Sequence, residues 1–329
     1  MSVDGAITGK GSNVLRLLEY CRAARADRMV LLDADVRSIE PEWIERLLDS
    51  VDRPDPVIAT PVYRRNRFEG NTTNHIAWPL MRAVFGRDVR QPIAGDFAFN
   101  LPFVELALTW PVPDSARLYG IDIWLTANAA SQGTAIASVP LGRKIHNPGF
   151  PKILYGSQQV IDALLHAVVR HGRISPSDGV LGPRCSADEV AMRPDGALVV
   201  RATRKVRTYI AAHAERIGSV LPASRNLQSA AWGFRVGIAD WAELLADGLR
   251  YLATTGELAT TRDDLVAMYF CRVMTYWDEI DGLTAQGVDR MLTSQTDAIC
   301  EAVCQRPVPF PDSIPPVGFT AGYWAPEVP

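Results

Sequence analysis

The chain has 329 residues, 47% of them hydrophobic, and a formal net charge of −3. That is enough apolar material for one large domain or two ordinary ones with real cores, and a near-neutral balance without long runs of one sign leaves no electrostatic footprint for nucleic acid or an anionic membrane. The N-terminus has no signal- or transit-peptide character, no apolar stretch reaches transmembrane length, and five scattered cysteines fit a reduced protein, so the cytoplasm is the expected compartment.

In chain order, the pattern predicts a helix over about 12–26, preceded by Gly9-Lys10-Gly11. The glycines allow close backbone approach to a ligand, the helix start favours anions and Lys10 adds a positive charge. An ordinary flexible cap is the alternative, and the spacing is not that of a P-loop. Met29-Val30-Leu31-Leu32 is a short apolar run that reads as a buried parallel strand over 29–33, leading into Asp33-Ala34-Asp35. In an open α/β sheet the ligand crevice lies outside the carboxyl ends of the strands. Hard oxygen ligands there suit Mg²⁺ or Mn²⁺, and through the metal a diphosphate. A helix over about 41–50, with Pro41 in its first turn, and a strand over about 56–63 follow. Arg64, Arg65 and Arg67 leave that strand on the crevice side, either as a solvated loop or as bidentate contacts for an acidic acceptor.

The next helix is expected over about 72–86. Gln91-Pro92-Ile93-Ala94-Gly95-Asp96 then forms a turn-rich segment before the apolar 97–108, and it is either a plain turn or a loop presenting Asp96 to a hydroxyl. Tyr119-Gly120-Ile121-Asp122 opens a helix over about 119–132, where Asp122 is a cap or points into the crevice as a base or substrate ligand. A strand over about 134–140 runs into Gly142-Arg143-Lys144-Ile145-His146, and a histidine at a strand exit near a metal is a candidate ligand. This alternation is α/β. Beyond about residue 155 the pattern is helical, over about 156–172, 201–219, 226–254, 261–281 and 285–304, and the proline-rich 306–329 reads as an extended tail. Three segments are thus expected, a catalytic core over 1–154, a helical region over 155–305 and the tail.

Five motifs in order (Gly9-Lys10-Gly11; Leu32-Asp33-Ala34-Asp35 with Pro41-Glu42-Trp43; Gln91 to Asp96; Tyr119 to Asp122; Leu141 to His146) resemble those of GT-A glycosyltransferases of the mannosylglycerate synthase and glucosyl-3-phosphoglycerate synthase type, over roughly residues 8–150. The resemblance implies a GT-A α/β fold and metal-dependent transfer of a sugar from a GDP- or UDP-sugar to a small, acidic acceptor, with retention of configuration. It places Lys10 in the nucleotide-sugar site, Asp35 on the Mg²⁺ or Mn²⁺, Asp33 nearer the ribose or sugar, and His146 as the far metal ligand. Gln91, Gly95 and Asp96 would line the donor sugar, Asp122 would face the acceptor or the reacting carbon, and Thr72 or Thr73 would lie at the acceptor with Arg64. Asp122 and Asp96 are the catalytic candidates; Asp122 acting as a base on the opposite face would instead give inversion.

Two departures from the family pattern stand out. Ala94-Gly95-Asp96 replaces Gly-Gly-Glu, which shortens the acid by one methylene. Only eight residues precede Gly9, whereas the resembled enzymes have a strand and crossover for the nucleoside there, so an unpaired sheet edge and weak donor binding are expected. The alternative function is a non-catalytic relative that binds a sugar, nucleotide or partner. A phosphatase of the haloacid dehalogenase type is disfavoured because Arg37 stands where that motif wants a small Thr or Val. A homodimer through the exposed edge or the helical region is compatible with the pattern.

Overall fold

The computed structural model describes residues 9–147, 149–172, 192–305, 319 and 322–325. The first half alternates as expected: α1 (Lys10–Ala24), β1 (Arg28–Leu31), α2 (Pro41–Ser50), β2 (Val57–Arg64), a π-helical turn (Thr73–Ala77) running into α3 (Trp78–Phe85), β3 (Phe97–Asn100), α4 (Leu101–Ala107), α5 (Ile121–Ser131) and β4 (Ala135–Arg143). The second half is α6 (Ile153–His171), α7 (Gly196–Val220), a small hairpin of β5 (Gln228–Ala230) and β6 (Gly233–Arg235), then α8 (Ile238–Thr255), α9 (Leu258–Glu279) and α10 (Ala285–Cys304). The protein is thus a mixed α/β core followed by a largely helical C-terminal region. Among the described residues no helix is long and apolar enough to cross a membrane.

The main sheet has the order β1-β3-β2-β4. β3 is antiparallel to both β1 and β2, and β2 is parallel to β4. Strands β1, β2 and β4 therefore run the same way, and their exits at Asp33, Arg64 and Lys144 emerge at one end of the sheet. Since β3 runs against them, the Gln91–Asp96 loop that enters it arrives at that same end. Topology alone gathers three of the five motifs and the arginine cluster.

Each face of the sheet buries its own apolar set. One face packs Phe97 and Phe99 against α1, α4 and α5, with Phe103 of α4 stacked on Phe99 and Trp110 and Trp124 at the far side. The other packs Trp43 and Leu47 of α2 against Tyr63, Ala98 and Val139. β1 corrects the expected buried parallel strand. Its partner is the antiparallel β3, it forms an edge of the described sheet, and its residues are partly exposed. The run is apolar because it contributes to both faces: Met29 and Leu31 join one cluster, Val30 and Leu32 the other.

The continuous helix expected over 226–254 is also corrected. Gly233, at φ +127°, turns the β5–β6 hairpin, and α8 starts only at Ile238, where the Asp240 carboxylate accepts from the Gly237 N–H at 2.9 Å. The strand expected over 134–140 extends to Arg143. Most of the proline-rich tail lies outside the described residues, but Trp324 is buried against Tyr209, with ring centroids 4.7 Å apart.

The helical region is tied to the first half through the π-helical turn, a local geometry that often marks functional sites. His75 Nδ1 lies 3.0 Å from Gln295 Oε1, Gln295 Nε2 donates to the Asn74 carbonyl at 3.0 Å, and Trp241 Nε1 donates to the His75 carbonyl at 2.8 Å. Burial, and then the Arg272 charge, push the His75 pKa well below its ordinary value, so the imidazole is neutral. Arg272 is fully buried; its Nε donates to Gln295 Oε1 at 2.8 Å, and its Nη1 donates to Glu279 Oε2 at 2.7 Å and the Val236 carbonyl at 3.0 Å. Removing one side of such a pairing strands the other. Arg272→Leu is therefore expected to lower unfolding free energy by about 3–5 kcal/mol in urea titration; a change within about 0.5 kcal/mol would contradict this role.

Candidate active site

Lys10 is the first residue of α1, and the glycines beside it explain how it gets there. The Gly11 N–H donates to the Leu118 carbonyl at 3.0 Å, and a Cβ on Gly11 would fall 1.9 Å from the Ala116 carbonyl oxygen. The glycines thus let the helix start press against the 115–118 turn. That contact brings α1 beside the start of α5. Lys10 Nζ then lies 2.9 Å from Asp33 Oδ1, 3.2 Å from Asp122 Oδ1 and 3.4 Å from the Gly95 carbonyl. Burial alone would lower the lysine pKa, but Asp122 and Asp33 together outweigh it and raise it. For Asp122, burial raises the pKa and Lys10 opposes the rise.

A second ammonium group lies directly behind. Lys144 Nζ donates to Asp96 Oδ2 at 2.7 Å and to the Ala94 carbonyl at 2.8 Å, and is 3.5 Å from Asp33 Oδ2. Its pKa is lowered by burial and then by Arg65, against the pull of Asp96 and Asp33. Asp96 is 0% exposed. Its Oδ2 also accepts from the Tyr63 hydroxyl at 2.9 Å, and its Oδ1 accepts from the Asp33 N–H at 2.6 Å. With both oxygens occupied and no exposed surface, Asp96, which the sequence offered as lining the donor sugar and as a catalytic candidate, braces the exit of β1. Gly95, at φ +91°, lies so close that a Cβ there would stand 2.0 Å from Asp33 Oδ2.

Asp35 is exposed on the turn after β1. The Arg37 N–H donates to the Ile145 carbonyl at 2.8 Å and the Ile145 N–H donates to Ser38 Oγ at 3.0 Å, which clips this turn alongside the segment carrying His146. His146 Nε2 is buried, has no hydrogen-bond partner among the described residues, and lies 3.7 Å from Glu69 Oε2. Burial, then Arg65 and Lys144, push its pKa down to about 4 against the attraction of Asp35, so at neutral pH the imidazole is uncharged, with one ring nitrogen carrying hydrogen and the other free to bind. Among the described residues no group of three or more His, Cys, Asp or Glu is arranged to hold a metal ion. An orphaned imidazole nitrogen beside a carboxylate fits a hard divalent ion that takes its other ligands from phosphate and water.

A narrow cleft opens next to this clip. Arg65, Arg67, Glu69, Thr73 and Gln91 line it from the first half, and Tyr276 and Asp289 from the helical region. Arg65 Nη2 donates to the Ala94 carbonyl at 3.0 Å, and the Tyr276 hydroxyl donates to the Arg67 carbonyl at 3.1 Å. The Nε atoms of both arginines are buried without a hydrogen-bond partner among the described residues. Gln91 donates from Nε2 to the Tyr63 carbonyl at 2.7 Å, while its Oε1 has no such partner.

Two expected acceptor contacts fall elsewhere. Arg64 is exposed and does not line the cleft, because alternation along β2 turns it away from the side that Tyr63 and Arg65 share. The Thr72 hydroxyl is 3.0 Å from the Tyr269 hydroxyl, facing α9, and it is Thr73 that reaches the cleft. Lys144, Tyr63 and Glu69 were not singled out from sequence. Lys144 had a legible signal, standing two residues before the candidate histidine.

No family model matches the chain, and no curated protein matches it. Solved structures do. A crystal structure of glucosyl-3-phosphoglycerate synthase from Mycobacterium tuberculosis with Mn²⁺, uridine diphosphate and phosphoglyceric acid is 28% identical, with 49% of this chain and 55% of that chain covered and a TM-score of 0.41. The chain is similar to glucosyl-3-phosphoglycerate synthase. The same enzyme with Mg²⁺ and uridine diphosphate is 27% identical over 49% of this chain and 55% of that one, with a TM-score of 0.40. A further mycobacterial protein is 30% identical over 50% and 53%, with a TM-score of 0.42. This chain spans about half the length of the solved structures it matches.

Two expectations follow from the geometry. Gly95→Ala forces both a positive φ and a clash with Asp33, and should lower unfolding free energy by about 1–3 kcal/mol in denaturant titration; an unchanged midpoint would refute the close approach. His146 should titrate near pH 4 by NMR. Because the folded pKa lies below the ordinary value of 6.5, this histidine favours the fold fully above about pH 6.5 and loses that contribution as pH falls towards about 4. A measured pKa near 6.5 would contradict its burial.

Proposed function

We propose that the chain is a metal-dependent glycosyltransferase that moves a sugar from a UDP- or GDP-sugar to a small acidic acceptor with retention of configuration. The observation that carries this reading is the arrangement at the end of the sheet: Lys10 held between Asp33 and Asp122, with the segments carrying Asp35 and His146 clipped together beside an arginine-lined cleft. Two ammonium groups, Lys10 and Lys144, are already paired with three carboxylates, Asp33, Asp96 and Asp122, and the exposed Asp35 follows on the next turn. A diphosphate therefore meets a region of net negative charge unless a cation accompanies it, which is the electrostatic reason to expect Mg²⁺ or Mn²⁺ dependence.

Asp35 and His146 would hold the metal, which when bound neutralises charge on the departing diphosphate. Asp33, 29% exposed and oriented by the Lys10 and Lys144 ammonium groups, is placed to accept hydrogen bonds from ribose or sugar hydroxyls. Lys10 supplies positive charge at a helix N-terminus that has no side-chain cap. Arg65 and Arg67, which line the cleft, would bind the acid group of the acceptor. In the transfer itself, the bond from the anomeric carbon to the diphosphate oxygen breaks with its electron pair leaving on oxygen. The acceptor oxygen bonds the same carbon, and its proton passes to the departing diphosphate on that face. Asp122 has little exposed surface and is paired with Lys10, so it serves here by fixing the ammonium group.

Calorimetric titration with UDP tests the donor half of this reading. Mn²⁺ should strengthen UDP binding by at least about tenfold, and Asp35→Asn should remove most of that gain. UDP and GDP binding that ignores both the metal and the substitution would overturn the proposal.

A further inference from the structure

β1 forms one edge of the described sheet, and its run Met29-Val30-Leu31-Leu32 holds no proline, glycine or lysine. Such residues ordinarily blunt a sheet edge, because its unpaired backbone donors and acceptors template pairing with another chain. The opposite edge is blunted in this way. β4 carries Pro140, which has no N–H, and the Pro140 carbonyl accepts from Arg46 Nη1 at 3.4 Å.

The elements around β1 widen the same surface. Of the nine large hydrophobic residues exposed among the described residues, four lie on the elements just before and just after this strand. Leu17 and Tyr20 stand on α1, Ile39 on the turn that leaves β1, and Ile44 on α2; Tyr20 is 70% exposed. Gly11 presses α1 against the 115–118 turn, and Tyr20, nine positions later, projects from the opposite side of the helix. Arg46 reaches from α2 to β4, so Ile44, two positions earlier, projects the other way, towards β1. Since α1 and α2 cover opposite faces of the sheet, apolar side chains flank the bare edge on both. That is an interaction surface and not scattered exposure.

Charge selects the occupant. Arg22, Arg25 and Arg28 are exposed at the N-terminal end of β1, with Asp27 among them, and Arg28 also reaches the exposed Asp52 at 3.2 Å. Asp35, Glu40 and Glu42 are exposed at the other end, with Arg37 among them. A second copy related by a twofold axis normal to the sheet lies with its β1 antiparallel to the first. Basic end then meets acidic end twice, while α1 meets α1 and α2 meets α2, covering Tyr20 and Ile44. A parallel arrangement would set like charges together.

We propose that two copies of this chain associate through their β1 edges, joining two four-stranded sheets into one. This is independent of the proposed function.

Sedimentation equilibrium of the full chain tests it. The chain should form a dimer with a dissociation constant at or below about 10 µM, weakened at least about fivefold by about 0.5 M NaCl. Hydrogen-exchange protection over residues 29–32 should fall on dilution. Tyr20→Asp with Ile44→Asp, both at exposed positions, should give a monomer with an unchanged circular dichroism spectrum. Arg25→Glu with Arg28→Glu should weaken association and remove its salt dependence. A monomeric wild-type chain overturns the proposal. So does a dimer that survives Tyr20→Asp with Ile44→Asp, or one whose exchange over 29–32 ignores dilution, since either places the contact on another face. If the double variant fails to fold, the wild-type exchange decides alone.

Discussion

The site depends on a buried network of three carboxylates and two ammonium groups. Asp33, Asp96 and Asp122 come from the exit of β1, the entry to β3 and the start of α5; Lys10 and Lys144 come from the start of α1 and the exit of β4. Neither lysine can leave without stranding carboxylates in a poorly hydrated interior, and a stranded buried charge costs several kcal/mol. Five separate segments are thereby held in one register at the end of the sheet. The exposed acid, Asp35, and the orphaned imidazole, His146, are carried on the two backbone segments clipped just beyond this network. In the chemistry proposed here Asp33 and Lys10 face the donor, while Asp96, Asp122 and Lys144 hold them in position.

The helical region completes the site. Tyr276 and Asp289 close one side of the arginine cleft, and the buried His75–Gln295–Arg272 network fixes the π-helical turn that carries Thr73 and Asn74 to the other. One apolar cluster draws Phe68 and the residues from Ile76 to Val84 in the first half together with α6 to α10 in the second. A change in α9 or α10 is thereby felt at the cleft, where a rigid wall is needed to hold a small acid in one orientation.

Much of this was legible in the sequence because local chemistry and topology agreed. The apolar run Met29 to Leu32 ending in two acids marks a strand exit, the proline at 41 marks a helix start, and α10 lies over the span its periodicity indicates. What was not legible required partners distant along the chain. Asp96 reads as a loop acid offered to a ligand until Lys144, 48 positions later, is seen to occupy it. Gly11 reads as a ligand-facing glycine until the 115–118 turn is found against it. β1 reads as an interior strand because an edge strand whose two faces are both packed has the same composition as a central one. Arg64 and Thr72 were chosen from clusters in which the neighbouring residue, Arg65 or Thr73, has the right direction, and alternation along a strand or around a helix turn decides between them.

The most direct test of the central claim is anomalous diffraction from crystals grown with UDP and Mn²⁺. If the buried ion pairs serve to position a metal-diphosphate site, a manganese peak should lie within bonding distance of both Asp35 and His146, with diphosphate oxygens completing its coordination and Lys10 close by. A peak elsewhere, or nucleotide bound away from the ends of β1 and β4, would contradict that claim.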